Sequence, residues 1–236
     1  MATRRLTVPA APAGVSPRDG MAEAARLWWR EGASELTLRR DGWWWTAWTA
    51  GVVCFFAAPG IALIWIEPLT FPAAAICFAH AFGVPWLQAR RGARQVVAIG
   101  RERSSGRRGD ADRPAERVAL GLLGDLVAHE QRELLAATGL MVEAGELGVW
   151  ALGENGAFLV RAGGRRVDCW CVRISDDSEL PGGDRVAHLL LALREDERGF
   201  ATVANLGFSG AVWRVRRCLE ERSRPALDAA RRLARA

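Results

Sequence analysis

Two long apolar stretches lie in the first half of the chain, with only two residues between them. Residues 43–66 and 69–87 contain no Asp, Glu, Lys or Arg, and Glu67 and Pro68 separate them. As helices at about 1.5 Å per residue, they would measure about 36 Å and about 28 Å, against a hydrocarbon core of about 30 Å. The pattern therefore predicts a membrane α-helical hairpin of two transmembrane helices over residues 43–88.

The C-terminal half has much shorter patterns, both helical and β. An apolar stripe predicts an amphipathic helix over residues 115–138, and its members are Leu122, Leu123, Leu126, Val127 and Leu134. Short β-prone runs between Gly-containing turns predict an antiparallel meander over residues 149–152, 157–161 and 167–174, which a run at 140–143 extends. Helices are expected over residues 184–195, with Asp184 as the N-cap, and over 210–221 and 226–235. A further strand is expected over 200–205. This order predicts a small α+β domain with a mainly antiparallel sheet.

Five segments follow from these patterns. Residues 1–20 are rich in Pro, Ala and Gly and predict a disordered N-terminus, and residues 21–42 predict a short juxtamembrane helix. The hairpin occupies residues 43–88, a basic linker residues 89–114, and the α+β domain residues 115–236. The first thirty residues contain no apolar core of a signal peptide, so we expect the first span to direct its own insertion.

Aromatic and basic side chains stand at the ends of the apolar stretches. The Trp residues at these ends, where indole favours the headgroup layer, are Trp43, Trp44, Trp45, Trp48, Trp65 and Trp86. The flanking cations are Arg39, Arg40, Arg90, Arg91 and Arg94, whereas the turn between the stretches has none. By the positive-inside rule, this distribution predicts two spans in the cell membrane with both termini cytoplasmic.

The net charge of +5 is unevenly distributed. Residues 89–117 carry nine Arg against four acids, whereas residues 118–236 carry sixteen Arg against seventeen acids. The basic segment therefore lies beside the apolar region, and the C-terminal domain is almost neutral. This argues against nucleic acid as a partner, which needs a basic domain face, and favours the lipid bilayer with anionic lipids at the juxtamembrane Arg cluster. A solvated tether is the alternative for the linker.

Each predicted span contains one residue that is unusual in a membrane helix. Pro59 lacks a backbone donor and predicts a kink in the first span. His80 is titratable inside the second span, which marks it as a functional candidate. Alternatively, it is neutral and satisfied by a backbone carbonyl or by the other helix, since neither stretch contains a charged partner for it.

Candidate chemistry in the domain is sparse. The potential metal ligands His129, Cys169, Cys171 and His188 have a spacing that matches no standard zinc site, so we expect no metal and no cofactor. Ser209 beside Gly210 is a conceivable nucleophile, but it lies outside a G-x-S-x-G elbow. No P-loop and no G-x-G-x-x-G occur. The basic helix containing Arg214, Arg216 and Arg217 is compatible with a membrane surface, nucleic acid or plain solvation.

The order helix, strands, helix, strand resembles the restriction-endonuclease-like core, including nuclease-related domains attached to membrane spans. The run at residues 152–160, LGENGAFLV, is similar to a strand-turn-strand of that family. The resemblance implies a nuclease-like ancestry. Because the family's metal-binding acid with Glu-x-Lys is missing and Arg161 stands at the strand end, it also implies that the activity is lost.

The sequence is compatible with three functional hypotheses. The first is a non-enzymatic interaction or regulatory domain tethered to the cytoplasmic membrane face, with a protein partner or a second copy of the chain. The second is a membrane-associated enzyme of degenerate nuclease-like or Cys-dependent type. The third is an accessory subunit of a larger membrane complex, in which His80 and the small residues Gly51, Ala57 and Ala58 pack against a partner span.

Overall fold

A computed structural model describes residues 30–96, 112–172 and 180–236. The helices are α1 (Glu35–Ile66), α2 (Phe71–Val96), α3 (Asp112–Leu126), α4 (His129–Thr138), α5 (Gly182–Glu195), α6 (Glu197–Val203), α7 (Val212–Cys218) and α8 (Arg224–Leu233). Two short 3-10 turns lie at Pro68–Thr70 and Glu221–Ser223. The strands are β1 (Met141–Ala144), β2 (Gly148–Gly153), β3 (Gly156–Arg161), β4 (Arg166–Cys171) and β5 (Asn205–Ala211).

Helices α1 and α2 form an antiparallel pair joined by the first 3-10 turn. Ser34 begins α1 with a reciprocal cap: its side chain accepts from the Thr37 amide at 3.2 Å, and its own amide donates to the Thr37 hydroxyl at 2.8 Å. The helix remains continuous through Pro59. Glu67 leaves the helical conformation at φ −155°, so the chain turns where the sequence predicts it.

Among the described residues, one helix is long and apolar enough to cross a membrane, judged by length and composition. This helix is α1, and its most apolar window is only 6% buried in the protein. A core helix of a soluble protein would bury most of such a window. The structure therefore leaves a long apolar helical surface without a protein cover.

Both ends of the predicted hairpin differ from the boundaries set by the sequence. Residues 35–42, assigned to a separate juxtamembrane helix, are the first turns of α1. Residues 89–96, assigned to the linker, are the last turns of α2 and pack on the sheet. The reason is their composition, since Ala89, Gly92 and Ala93 give this end of α2 a small-residue face. The rest of the linker through residue 111, and residues 1–29, lie outside the described residues.

The five strands form one sheet in the order β1-β2-β3-β4-β5, and every neighbouring pair is antiparallel. The prediction of an α+β domain with an antiparallel sheet is confirmed. Register is set by tight turns, with Gly153 opposite Gly156 and Val149 opposite Val160 across β2 and β3. Strand β4 pairs with β5 through a register shift between Cys169 and Trp170.

The prediction of a strand over residues 200–205 is wrong. Asp196 accepts from the Gly199 amide at 2.8 Å and thereby begins helix α6, so Phe200 is helical. The fifth strand, β5, begins at Asn205 instead. Its two glycines, Gly207 and Gly210, weaken the strand signal in the sequence.

The helix expected over residues 115–138 is broken into α3 and α4. Gly139 ends α4 in the left-handed conformation at φ 71°, as a C-terminal glycine does. The N-cap prediction for Asp184 is also corrected. The Glu116 carboxylate of α3 accepts from the amides of Gly182 and Gly183 at 2.7 and 3.0 Å and serves the start of α5.

The sheet separates two hydrophobic cores because its side chains alternate between two covered faces. One face meets the end of α2 together with α7 and α8, and its largest side chains are Phe158 and Phe208. The other face meets α3, α5 and α6, and is centred on Trp150. Helix α1 contacts β5 at the edge of the sheet, with Leu38 in the second core and Trp45 against the first.

Candidate functional site

A buried polar network joins the sheet to α1 at the point where the hairpin leaves the domain. Arg166, the first residue of β4, donates to the carbonyl oxygen of Gly42 and to the Thr46 hydroxyl, the latter at 3.1 Å. Its Nε donates to the Ser209 hydroxyl on β5 at 2.9 Å. A single guanidinium therefore bridges one helix and two strands, in the fork geometry that Arg provides.

The second part of this network is a carboxyl group inside the domain. Ser209 lies opposite Asp168 in the register of β4 and β5, and its hydroxyl donates to Asp168 Oδ1. Burial raises the pKa of Asp168 to about 6, opposed by the Ser209 hydrogen bond and by the charges of Arg161 and Arg166. Asp168 Oδ2 is buried and has no hydrogen-bond partner. Both members of the pair are enclosed by the protein, since Ser209 is 2% and Asp168 1% exposed.

Close packing supplements this network on the other face of the sheet. An added Cβ at Gly92 of α2 would lie 2.5 Å from Cβ of Phe208, so only Gly allows α2 to approach this closely. The Phe208 ring also meets Trp45 edge-on, with centroids 5.7 Å apart. Both helices of the hairpin thus converge on one aromatic side chain of β5.

A shallow cleft of about 530 Å³ opens beside the start of α1, between it and α6. Its polar lining is mostly engaged within the protein. Arg30 donates to the carbonyl oxygens of Thr202 and Ala204 at 2.7 and 3.2 Å. It thereby provides hydrogen bonds to carbonyl groups at the C-terminal end of α6. Arg40 pairs with Glu31 at 2.7 Å. The cleft therefore has few free polar groups with which to hold a small molecule.

The four candidate metal ligands are scattered. His129 on α4 and His188 on α5 are exposed, Cys169 is fully buried in the core beneath α2, and Cys171 is half-buried at the far end of β4. No group of three or more His, Cys, Asp or Glu side chains suitable for a metal occurs in the described part of the chain. Burial raises the pKa of the Cys169 thiol well above its usual value, which suits a core side chain and not a nucleophile.

Most of the predicted interfacial Trp side chains are exposed: Trp43, Trp44, Trp48, Trp65 and Trp86. Trp45 is the exception, since it is half-buried against Phe208. The flanking cations differ in their partners. Arg39 pairs with Glu35 at 2.6 Å, Arg90 lies 5.0 Å from the Trp86 ring, and Arg91 and Arg94 are exposed.

His80 contacts a backbone carbonyl and an aromatic ring. Its Nδ1 lies 2.8 Å from the carbonyl oxygen of Ile76, and its ring stacks on Phe56 of α1 with centroids 5.3 Å apart. Both contacts lie within the hairpin. They agree with a His satisfied by the backbone and by the other helix.

Sequence reasoning missed Arg166, Gly42 and Thr46 as members of the junction. The sequence did contain a signal for Arg166. Arg166 and Asp168 are the two charged residues of a strand whose other side chains are apolar enough to be buried on both faces of the sheet. Charges in such a strand must find partners. The partners of these charged residues depend on the position of α1 against the sheet. Residue spacing in the sequence does not reveal that position.

Comparisons with known proteins give no match for this chain: no family model, no curated protein and no solved structure.

Proposed function

We propose that this protein is an integral membrane protein in which two spans, residues 43–88, hold the α+β domain on the cytoplasmic membrane face as a non-enzymatic interaction or regulatory module. The observation that carries the proposal is a change along α2 in the kind of side chain that is exposed, from large apolar residues as far as Leu87 to Arg91 and Arg94 beyond it. Its first part exposes large apolar side chains, including Phe82 at 74%, whereas Ala89, Ala93 and Val96 near its end are buried. One continuous helix thus belongs to two environments.

The second span is supported by how α2 accompanies α1. The two helices pack closely, and an added Cβ at Gly60 would lie 3.2 Å from Cβ of Cys77. Uncharged residues 69–87 lie beside the long apolar surface of α1. An amphipathic helix of a soluble domain would place charged residues on the side away from α1, and this stretch has none. A hydrocarbon environment suits both helices.

The cytoplasmic orientation is supported by the placement of charge. Arg39, Arg40, Arg90 and Arg91 stand at the domain end of the hairpin, and the turn at the other end has only Glu67. Cytoplasmic ends of spans carry an excess of Arg, so the domain would lie on that side. The buried Ser209 and Cys169 support a role other than catalysis, since neither is accessible to a substrate.

The manner of attachment favours a regulatory or interaction role over a simple anchor. A flexible tether would leave the domain free to tumble. Here Arg166 and Phe208 connect the sheet to both helices of the hairpin. A partner that binds the domain would therefore act directly on the spans, and a partner in the membrane would act on the domain.

The test is membrane extraction combined with topology mapping of the full chain. Carbonate at high pH should leave the chain in the membrane pellet, and Arg-specific protease added to right-side-out vesicles should leave the domain intact until the membrane is opened. Extraction by carbonate would contradict the membrane-spanning proposal. Cleavage of the domain in sealed vesicles would contradict the orientation.

The non-enzymatic role is tested by partner capture in intact membranes. Crosslinking should yield specific adducts of the domain, and the number and identity of adducts should change with Gly92→Ala, which disturbs the junction, but not with Gly83→Ala. A hydrolytic or transfer activity of the purified full chain, lost on substitution of Asp168, would overturn this part of the proposal.

A subunit role in a larger membrane complex has one observation in its favour. Gly51 and Ala58, two turns apart on α1, are both exposed, and nothing lies within 4 Å of an added Cβ at Gly51. Small residues on an open helix face suit close contact with another span. Size analysis in detergent should give a larger assembly for the natural chain than for Gly51→Leu. A monomer in both cases would contradict this role.

A further inference from the structure

One end of the sheet lies level with the place where the hairpin leaves the domain. The last residue of β5, Ala211, pairs with Arg166, whose guanidinium reaches Thr46 of α1. From the next helix, Arg214 Nη2 donates at 2.6 Å to the carbonyl oxygen of Pro85 in α2. Helix α7 therefore begins at the same level as the last residues of the apolar stretch 69–87. We call this surface the hairpin-side end of the domain.

An exposed Trp stands on the first turn of α7. Trp213 is 56% exposed, and the guanidinium of Arg217, one turn later, lies 5.2 Å from its ring centroid. The same pairing occurs on α2, where Arg90 lies 5.0 Å from the Trp86 ring. Indole favours the headgroup layer of a bilayer, and an adjacent cation favours phosphate there.

Further cations reach the hairpin-side end through the turn between β3 and β4. The amide of Gly163 donates to the carbonyl oxygen of Ala234 at 2.8 Å, which brings the end of α8 to this turn. The amide of Val212 donates to the carbonyl oxygen of Arg165 at 3.1 Å, which places α7 beside it. The exposed cations gathered in this way are Arg165, Arg217, Arg232 and Arg235.

These four cations have no ion-pair partner among the described residues, in contrast to the neighbouring Arg216, which pairs with Asp228 at 2.9 Å. Just before the opposite end of α8, exposed Glu220 and Glu221 accompany the exposed Arg222. These four unpaired cations therefore lie together at the end of the domain where the predicted spans begin.

We infer that the hairpin-side end of the domain is a second membrane contact, in which Trp213 enters the headgroup layer and Arg165, Arg217, Arg232 and Arg235 bind anionic phospholipid headgroups. The inference rests on the proposed membrane anchorage and adds a surface of the folded domain to it. Charge complementarity and continuity with the spans select a lipid surface as the occupant. Each Arg near an anionic surface increases the membrane-binding constant about fivefold.

The experiment uses the full chain in nanodiscs of phosphatidylcholine alone or with about a third phosphatidylglycerol, the anionic fraction being what the cations require. Hydroxyl-radical oxidation is then followed residue by residue. Oxidation of Trp213 should fall several-fold in the anionic discs, while exposed Leu122 on α3 should stay unchanged. Arg217→Glu should restore Trp213 oxidation to its level in neutral discs.

The matched control is Arg222→Glu, an exposed Arg beside Glu221 at the opposite end of α8, which should keep the protection of the natural chain. Equal oxidation of Trp213 in both kinds of disc, or the same loss of protection with both Glu variants, would overturn the inference. Failure of the chain to co-elute with either disc would instead contradict the membrane anchorage itself. The two failures are therefore distinguishable.

Discussion

Arg166 of β4 donates from its guanidinium to the carbonyl oxygen of Gly42 in α1. The two residues are 124 positions apart in sequence. The carbonyl of Gly42 also accepts from the Thr46 hydroxyl at 2.8 Å, so the Arg166 contact lies at a turn of α1 already rich in hydrogen bonds. This contact connects the sheet to α1 just before the apolar stretch of residues 43–66 begins. The contacts around it and within the domain lead to four predictions.

Gly42→Ala should destabilise the protein by displacing Arg166. An added Cβ at Gly42 would lie 2.7 Å from Nε of Arg166, so the side chain must leave its present position. The lost hydrogen bonds should cost about 1–2 kcal/mol, seen as a lower Tm of the full chain in detergent by circular dichroism. Gly51→Ala on the same helix is the control, since nothing lies within 4 Å there. A Gly42→Ala variant as stable as Gly51→Ala would contradict the role of this contact.

Gly92→Ala should have a larger effect, because the obstacle cannot move. Its added Cβ would meet Cβ of Phe208, which is held by the strand backbone, and not the end of a flexible side chain. Overpacking of this kind costs about 1–3 kcal/mol, and α2 should separate from β5. Faster trypsin cleavage after Arg90 and Arg91 in the full chain would report the separation.

The control for Gly92→Ala is Gly83→Ala on the same helix, where an added Cβ meets nothing within 4 Å. It should leave the cleavage rate unchanged or lower it. Equal rates for both variants would mean that close packing at Gly92 does not hold α2 to the sheet.

Asp168 should make stability fall as pH rises. Burial raises the pKa of its carboxyl from 3.8 to about 6, so between these values the folded protein keeps a proton that the unfolded chain releases. The contribution is present at low pH and is lost as the pH passes about 6. Compared with Asp168→Asn, the natural chain should lose up to about 3 kcal/mol of relative stability between pH 4 and pH 7.

The measurement is the difference in Tm between the two proteins at each pH, in one detergent and at one ionic strength. Asp125→Asn, at an exposed carboxylate on α3, controls for the loss of a charge. A difference between the natural chain and Asp168→Asn that does not change with pH would contradict the assignment.

Glu197→Ala should destabilise the domain away from the hairpin. Its carboxylate accepts from the indole Nε1 of Trp150 at 2.5 Å and from the amide of Leu147 at 3.0 Å, which joins α6 to the turn between β1 and β2. Trp150 is completely buried, so its indole would be left without a partner, at a cost of about 2–3 kcal/mol. Denaturant unfolding measures this. Glu195→Ala at an exposed site should cost little, and similar costs for both would contradict the prediction.

The strands show which parts of the domain were predictable. Gly153 and Gly156 flank a two-residue turn between alternating apolar runs, and such local signals predict the pairing of β2 with β3. The fifth strand lacks these signals, because its glycines weaken the pattern, whereas the β-branched Thr202 and Val203 favour a strand in the neighbouring α6. Pairing with β4, rather than local preference, selects β5 as the strand.

The apolar length of α1, its turn at Glu67 and an α+β domain with an antiparallel sheet could all be predicted from the sequence, since they depend on composition and periodicity over neighbouring residues. The second span and the cytoplasmic termini stay predictions on the same grounds. The continuation of α2 to Val96 and the contact of Arg166 with Gly42 became visible only in the folded protein. Both contacts join segments that are distant in sequence. The small-residue face of α2 fits against Phe208, and the charge of Arg166 is satisfied by the helix that covers the edge of the sheet.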